Sequence, residues 1–293
     1  MSDPKGPAPR SVHAALIVVQ VLFGLWPVVG KYAMAYLSPA ALVGVRTLVG
    51  APILLGLAGL VRAPRPTRQD LLPLAGLAFL GISLNQILYA EGLKRAGAVN
   101  AVVLTALIPV ITLLVGMALG RESPPWSRRL GILVACLGVW ILVGAERFEL
   151  RSDRTLGNLL ILSNTTSYAL YLVLARPTIA RLGPIGSIGW IFLFGALEAL
   201  PFTGPALWAV PWAEVPSQGW WALGFIILGP TVATYFLNAY ALRFAPSSLV
   251  ATYIGLQPLV GALGAVVFLG DAPSLRTAVA AVVIVAGVIW ACR

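Results

Sequence analysis

Polar and aromatic side chains recur at helical spacing inside segments that are otherwise apolar. Asn164, Tyr168 and Tyr171 stand at positions i, i+4 and i+7, which places them on one face of a helix. In hydrocarbon an amide or hydroxyl without a partner is costly, so these groups should face one another or a wet cavity. A cavity of aromatic faces with few fixed charges suits zwitterionic or apolar solutes. For any single residue, hydrogen bonding between helices is the alternative interpretation.

The candidates for substrate binding all lie within apolar segments. Aromatic faces hold an apolar side chain and attract an ammonium group, and amides orient a carboxylate or an amine by hydrogen bonds. We expect the aromatic candidates to contribute to one cavity. The substrate-binding candidates are Trp26, Asn85, Tyr89, Pro109, Asn164, Tyr168, Tyr171, Tyr235, Asn238, Tyr253, Gln257 and Pro258.

Two of these candidates are prolines in the middle of predicted spans. A proline inside a helix removes one backbone hydrogen bond and kinks the axis. Pro109 and Pro258 are therefore predicted to shape the cavity wall and to offer a free carbonyl to a polar ligand. A kink that serves packing alone is the alternative.

The composition restricts the classes of protein to which the chain can belong. Of its 293 residues 59% are hydrophobic and only 10% are charged, against about 25% charged in a soluble domain. This excludes a soluble enzyme, a nucleic-acid-binding domain and a disordered protein. The net charge of +10 does not indicate a nucleic-acid partner, because the basic residues are spread over many short loops.

Motifs for catalysis, metal binding or nucleotide binding are missing from the sequence. His13 is the only histidine, and no CxxC, HExxH, GxSxG or GxxxxGK[ST] pattern occurs. We therefore expect no catalytic residue, no metal site, no cofactor and no ATP-driven step. The chain also lacks the ring of charges or filter-like loop that would favour a channel.

The apolar runs are long enough to cross a bilayer as helices. They predict an all-α polytopic membrane protein with ten transmembrane helices. The ten predicted spans are 11–30 (extended to 36), 39–61, 71–90, 96–120, 130–145, 155–175, 182–213, 215–242, 244–270 and 277–292.

The basic residues predict the orientation. With the N-terminus inside, inner segments hold twelve lysines and arginines and outer segments hold seven. The bias favours both termini in the cytoplasm. We expect a multi-pass protein of a bacterial-type inner (cytoplasmic) membrane. Four tryptophans near the seventh loop are predicted to form an outer interfacial belt, namely Trp208, Trp212, Trp220 and Trp221.

The sequence repeats itself, which predicts two five-helix units at 1–150 and 151–293. Trp26 and Pro39 correspond to Tyr171 and Pro184 at an offset of 145 residues. From residue 52 onwards the offset is 149, and it pairs Pro52 with Pro201, Pro109 with Pro258 and Glu122 with Asp271. Five is odd, so the two units enter the membrane in opposite senses. An inverted repeat of this kind is typical of a secondary transporter with its substrate site near the midplane.

The repeat unit also resembles a known family. The run from Tyr89 to Gly144 and its second copy from Asn238 to Arg293 resemble the repeat of the drug/metabolite transporter superfamily, EamA type. FGLWPVVGK and YALYLVLAR resemble that family's first and sixth helices, and Pro39 with Arg46 resembles the start of its second. The resemblance implies an exporter of amino acids, drugs or other metabolites, and the aromatic-rich first and sixth helices make bacterial exporters of aromatic amino acids the best match. A facilitative uptake carrier of the same fold stays open.

Charges within the predicted spans have less defined roles. Arg46 and Glu198 could form a buried pair, or each could bond locally, and the sequence does not decide between the two. Glu91 is expected to form an ordinary surface pair near Lys94 and Arg95. Because no carboxylate has a clear midplane position, facilitated or weakly coupled export is expected. Small residues four apart would allow close helix packing and a homodimer, among them Gly116 with Gly120 and Gly287 with Ala291.

Overall fold

The structure, a computed structural model, describes residues 9–105, 107–119, 126–143, 152–244, 253, 256–270 and 274–292. Within these residues the chain forms helices and turns and no strand. Six helices are long and apolar enough to cross a membrane, and they match the first three and the sixth to eighth predicted spans. Shorter apolar stretches at Val103–Ala118 and Ala278–Gly287 fall in the fourth and tenth. The all-helical class is confirmed for the described residues, and the count of ten spans stays a prediction.

The first half of the chain begins with two long helices and continues with interrupted ones. Its elements are α1 (Arg10–Ala33), α2 (Pro39–Leu60), α3 (Arg68–Ala78), a first π-turn (Phe79–Ser83), α4 (Leu84–Ala96), α5 (Ala98–Thr105), α6 (Ile108–Ala118) and α7 (Trp126–Val143).

The second half follows the same order. Its elements are α8 (Asp153–Leu182), α9 (Pro184–Trp208), a 3-10 turn (Trp212–Glu214), α10 (Ser217–Ile227), a second π-turn (Leu228–Ala233), α11 (Thr234–Phe244), α12 (Gln257–Leu269) and α13 (Leu275–Cys292).

Local signals set the helix ends. The Ser38 hydroxyl oxygen accepts from the Ala41 N–H at 3.2 Å, directly before Pro39 opens α2. The Asp70 carboxylate accepts from the Thr67 N–H at 2.6 Å and so caps α3. Gly183 ends α8 with φ of 73°, a conformation that favours glycine, and it lets the chain turn directly into α9.

The two π-turns occupy equivalent positions in the two halves. Phe79 and Leu228 begin them and are separated by the repeat offset of 149 residues. In the second π-turn Pro230 has no N–H for the carbonyl of Ile226, and the Thr231 hydroxyl donates to that carbonyl instead, at 2.9 Å. Turns of this type often lie at functional sites.

The fourth predicted span is divided into α5 and α6, and Pro109 is the second residue of α6. Pro258 is likewise the second residue of α12. The expectation of a kink in the middle of one continuous helix is therefore wrong for Pro109; for Pro258 it stays a prediction, because residues 254 and 255 lie outside the described part of the chain. A proline in the first turn of a helix removes no intrahelical hydrogen bond, and it is compatible with a new helix starting there. Interrupted helices in corresponding positions of two halves are a pointer to a transporter's binding site.

The helices pack in pairs that follow the repeat. The second helices of the two halves, α2 and α9, pack together, as do the last ones, α7 and α13. The first helix of each half instead packs mainly in the opposite half, α1 against α11 and α12, and α8 against α4, α5 and α6. Residues of both halves therefore surround the interior of the bundle.

Glycines permit the closest of these contacts. A Cβ added at Gly138 of α7 would lie 2.6 Å from Cγ1 of Ile284 in α13. A Cβ added at Gly44 of α2 would lie 2.9 Å from Cβ of Thr203 in α9. Both distances are shorter than van der Waals contact, so these helices approach as closely as they do because a side chain is missing.

Candidate functional site

Arg46 of α2 lies buried between the two halves, with 6% of its surface exposed. Its Nε donates to the Thr231 hydroxyl at 2.6 Å, and its Nη2 donates to the Pro230 carbonyl at 3.0 Å. Both acceptors belong to the second π-turn. The pair with Glu198 that the sequence left open is not formed, because the carboxylate of Glu198 accepts from the Ser83 hydroxyl of the first π-turn, at 2.8 Å.

A pair of aromatic rings lies against the guanidinium. The carbon of the Arg46 guanidinium stands 4.7 Å from the centre of the Trp26 ring, which is cation–π distance. Trp26 stacks on Tyr89, with ring centres 6.0 Å apart and planes inclined by 20°. Trp26 and Tyr89 are both buried in one hydrophobic cluster of the bundle.

A second ring group lies in the neighbouring hydrophobic cluster. Tyr168 and Tyr171 of α8 stack with centres 5.6 Å apart, and Phe192 meets Tyr235 edge-on at 4.9 Å. The first π-turn makes room for these rings, because a Cβ added at Gly81 would lie 2.6 Å from Cδ2 of Tyr171.

Arg46 joins the two ring groups. Tyr89, Tyr168 and Tyr235 all lie close enough to interact electrostatically with its charge. We call this set, with Arg46 between the rings, the central aromatic cluster: Trp26, Arg46, Tyr89, Tyr168, Tyr171, Phe192 and Tyr235. Five of its members were expected from the sequence.

Two residues of the cluster were not among the expected ones. Arg46 had a visible signal, a single arginine inside an apolar span, but its neighbours in space lie 185 residues away. Phe192 had none, because a phenylalanine in an apolar helix is equally compatible with contact to lipid.

The two expected asparagines bind each other's backbone. Asn85 donates to the carbonyl of Asn164 at 3.1 Å, and Asn164 donates to the carbonyl of Asn85 at 2.8 Å. This reciprocal pair joins α4 to α8. The Ser167 hydroxyl adds a bond to the carbonyl of Leu80 in the first π-turn, at 2.7 Å. The alternative interpretation, hydrogen bonding between helices, describes these contacts of the asparagines.

The remaining expected residues lie apart from the rings. Tyr253 donates to or accepts from His13 at 2.6 Å and packs in a third small cluster near the start of α1, so the expected single cavity does not include it. Gln257 at the start of α12 donates to Gln20 of α1 at 2.6 Å. Asn238 is half-buried in α11.

One buried amide has no partner. Gln86 is 5% exposed, and neither its nitrogen nor its oxygen forms a hydrogen bond with the described residues. It lies three residues before Tyr89 and therefore on the same side of α4. Its equivalent in the second half is Tyr235, a member of the central aromatic cluster.

Charged contacts close both ends of the bundle. Glu91 pairs with Arg95 within α4, as expected from the sequence, and Lys31 donates to the carbonyl of Lys94 at 2.7 Å. At the opposite end the buried carboxylate of Asp70 pairs with Arg181 of α8. Trp208 and Trp221 are 93% and 79% exposed, as an interfacial belt requires.

Curated relatives of the chain are transporters. An uncharacterized transporter of Archaeoglobus fulgidus is 27% identical over 260 residues, which cover 88% of this chain and 89% of the relative. The uncharacterized transporter YdfC of Bacillus subtilis is 26% identical over 93% of this chain and 89% of its own length. The threonine/homoserine exporter RhtA of Escherichia coli K12 is 30% identical over 147 residues, 48% of this chain and 46% of the exporter.

The fold also has a solved counterpart. A crystal structure that is 22% identical in sequence superimposes with a TM-score of 0.66 over 97% of both chains, which supports the arrangement of the described helices. The model of the EamA-like transporter family matches twice, at residues 10–144 and 155–293. The chain therefore belongs to the EamA-like transporter family, as its resemblance to the drug/metabolite transporter superfamily implied.

Proposed function

We propose that the protein is a secondary transporter that exports amino acids, aromatic and other neutral ones, across the cytoplasmic membrane by alternating access. One observation carries this proposal: buried aromatic rings from both halves of the chain lie around the interior of the bundle. Rings of this kind accommodate apolar side chains of different sizes, so broad specificity is expected.

The chemistry of the cluster suits a zwitterion. A ring face attracts an ammonium group through its quadrupole, by about 0.5–2 kcal/mol per contact. The hydroxyl groups of Tyr89, Tyr168 and Tyr235 add hydrogen-bonding capacity next to a fixed positive charge. RhtA, an exporter of threonine and homoserine, aligns with about half of the chain and supports amino acids as the substrate class.

The architecture supports alternating access. Because α1 and α8 each pack mainly in the opposite half, a movement of one half against the other changes the contacts of both around the central aromatic cluster. The break between α5 and α6 and the start of α12 lie at equivalent prolines, where each half would have a point at which to bend. The basic residues of the sequence favour cytoplasmic termini in an inner membrane of bacterial type.

Two alternatives share this fold. One is export of drugs or other small metabolites, which apolar rings also bind; the buried Arg46 disfavours cationic drugs by repulsion. The other is facilitative uptake, since the direction of a carrier follows the gradients of its solutes. A homodimer through helices rich in small residues is compatible with each of them.

Counterflow in proteoliposomes tests the proposal. Vesicles are loaded with unlabelled phenylalanine and diluted into labelled phenylalanine, with empty vesicles and Trp26→Ala as comparisons. Transient, saturable accumulation without ATP, competed by other neutral amino acids, is the expected result. Trp208→Ala, which changes an exposed tryptophan, is the matched control and should behave as the wild type. Linear, unsaturable flux would indicate a channel, and accumulation of apolar amines alone would indicate a drug exporter.

A further inference from the structure

Arg46 is a buried cation without a carboxylate partner in the described part of the chain. Asp70 pairs with Arg181, Glu91 pairs with Arg95, and Glu198 accepts from Ser83. Asp153 and Glu214 are exposed. A charge taken out of water is costly unless it is paired, so an unpaired one in a membrane helix is a functional candidate by default.

The hydrogen bonds of Arg46 fix one side of its guanidinium. Nε donates to the Thr231 hydroxyl and Nη2 to the Pro230 carbonyl, and the Thr231 hydroxyl in turn donates to the carbonyl of Ile226. These bonds use two of the five N–H groups of an arginine, and no other bond to a described residue is formed. The second π-turn therefore fixes the orientation of the planar Arg46 guanidinium and leaves three of its N–H groups for a further acceptor.

The rings shape the space around that fork. Trp26 covers one face of the guanidinium at 4.7 Å, and Tyr89, Tyr168 and Tyr235 lie close enough to interact with its charge. None of these groups is an anion at neutral pH. The acceptor that fits a planar, pre-oriented fork is a carboxylate, which can bind it through two parallel hydrogen bonds.

Only one of the two halves carries a charge at this position of the repeat. Arg46 lies before residue 52, where the offset is 145, and it corresponds to Ile191; Thr231 corresponds to Ile82 at the offset of 149. The two isoleucines are buried in one hydrophobic cluster, so the equivalent place in the other half is apolar. One end of a ligand would thus meet a cation, and the other would meet the rings near Tyr171 and Phe192.

We infer that Arg46 binds the carboxylate of the transported substrate, held in position by the second π-turn, while the substrate's side chain lies among the aromatic rings. This inference rests on the proposed function and deepens it: the substrate class is monocarboxylates with an apolar side chain. Amines that lack a carboxylate are disfavoured, because they bring a second positive charge next to Arg46.

The test compares phenylalanine with phenylalaninamide, which keeps the ring and the ammonium group but has no carboxylate. Wild type should transport phenylalanine at least tenfold better in proteoliposomes. Arg46→Gln should lower phenylalanine flux at least tenfold and bring the ratio of the two substrates close to one. Arg46→Lys keeps the charge without the fork and should give an intermediate ratio. The matched control, Arg154→Gln, removes an exposed arginine of α8 and should keep the wild-type ratio.

The ratio separates binding from folding, because a variant that merely folds poorly loses both fluxes equally. If Arg46→Gln does not fold, the ratio of Arg46→Lys decides. An unchanged ratio in a folded variant would overturn the inference. If the wild type transports no amino acid, ligand-induced shifts of its Tm are measured with 3-phenylpropionate and phenethylamine. A shift by the acid that Arg46→Lys loses supports the carboxylate site and refutes amino-acid export, and a shift by the amine alone refutes both.

Discussion

The buried carboxylate of Asp70, at the start of α3, pairs with the guanidinium of Arg181, at the end of α8. At the repeat offsets the equivalent contact joins Tyr36 to Gly219, where a Cβ added to the glycine would lie 3.3 Å from Cδ2 of the tyrosine. One end of the bundle is therefore closed by an ion pair and the other by a ring over a glycine.

Arg181→Gln is expected to favour opening at the Asp70 end. Arg181 is half-exposed, so the pair contributes only about 0–1 kcal/mol, which corresponds to a shift in population of up to about fivefold. A cysteine at Ile185, which lines an apolar cleft with Leu57 and Tyr235, should react with a maleimide up to about fivefold faster in this variant. The background carries serines in place of the two native cysteines. Arg154→Gln, at the other end of α8, should not change the rate; equal rates in all three proteins would show that the ion pair has no part in closure.

Single cysteines should report opposite sides of the membrane. Cysteines at Arg65 and Arg128 are expected to react with an impermeant reagent only from the cytoplasm, and one at Ser217 only from outside. The reason is the bias of basic residues together with the odd number of spans in each repeat. Labelling of all three positions from one side would refute the inverted topology.

Removal of a ring should affect large substrates more than small ones. Trp26→Ala and Tyr171→Ala are each expected to raise the KM for phenylalanine by about 2- to 30-fold, the equivalent of one cation–π or stacking contact. The KM for threonine should change less, because its side chain is too short to reach both ring groups. Leucine at the same positions restores part of the apolar volume without a ring; wild-type transport by the leucine variants would remove these residues from the site.

The interrupted helix can be tested at Pro109. Because a proline in the first turn of α6 costs no hydrogen bond, Pro109→Ala should change the free energy of unfolding by less than about 1 kcal/mol. It restores a backbone donor and so allows α5 and α6 to join into one helix, which should slow transport several-fold. Thermal unfolding in detergent and flux per folded molecule separate the two effects. Normal flux with reduced stability would assign the proline a structural role only.

Gln86 offers a test of function against stability. A buried amide without a partner costs about 1–3 kcal/mol, so Gln86→Met should raise the Tm. If the amide serves the substrate, the same variant should transport phenylalanine more slowly. A lowered Tm, or a raised Tm with unchanged flux, would contradict this role. The matched control is Thr203→Val, which removes a buried hydroxyl that also has no hydrogen-bond partner among the described residues. It should raise the Tm without loss of flux.

The sequence predicted the helical class and much of the ring set, because both depend on local patterns. Tyr168 and Tyr171 share a helix face by spacing alone, and the structure stacks them. The partner of Arg46 could not be predicted, since it lies on another helix in the opposite half. The π-turn that supplies this partner shifts the helical phase by one residue, and a regular spacing of 3.6 residues does not reveal such a shift.

Two other differences between the predicted and the observed positions of site residues have equally specific causes. Tyr253 shares residue type and helical setting with the central rings, but it lies near the first turn of α1, where His13 bonds to it. Residues 254 and 255, which follow it, lie outside the described part of the chain. Pro109 was placed in mid-helix because the apolar run is continuous in sequence, whereas the backbone starts a new helix one residue before it.

The first half carries a charge at Arg46 that the second half lacks, and this difference bears on how such a chain is assembled. A protein made of two identical copies of the first half would bring two guanidinium groups into one interior, and their repulsion would oppose closure of the bundle. Two copies of the second half would bring none, because Ile191 occupies that position. Fusion of two diverged halves in a single polypeptide gives one cation per molecule, in a stoichiometry that independent subunits could not guarantee.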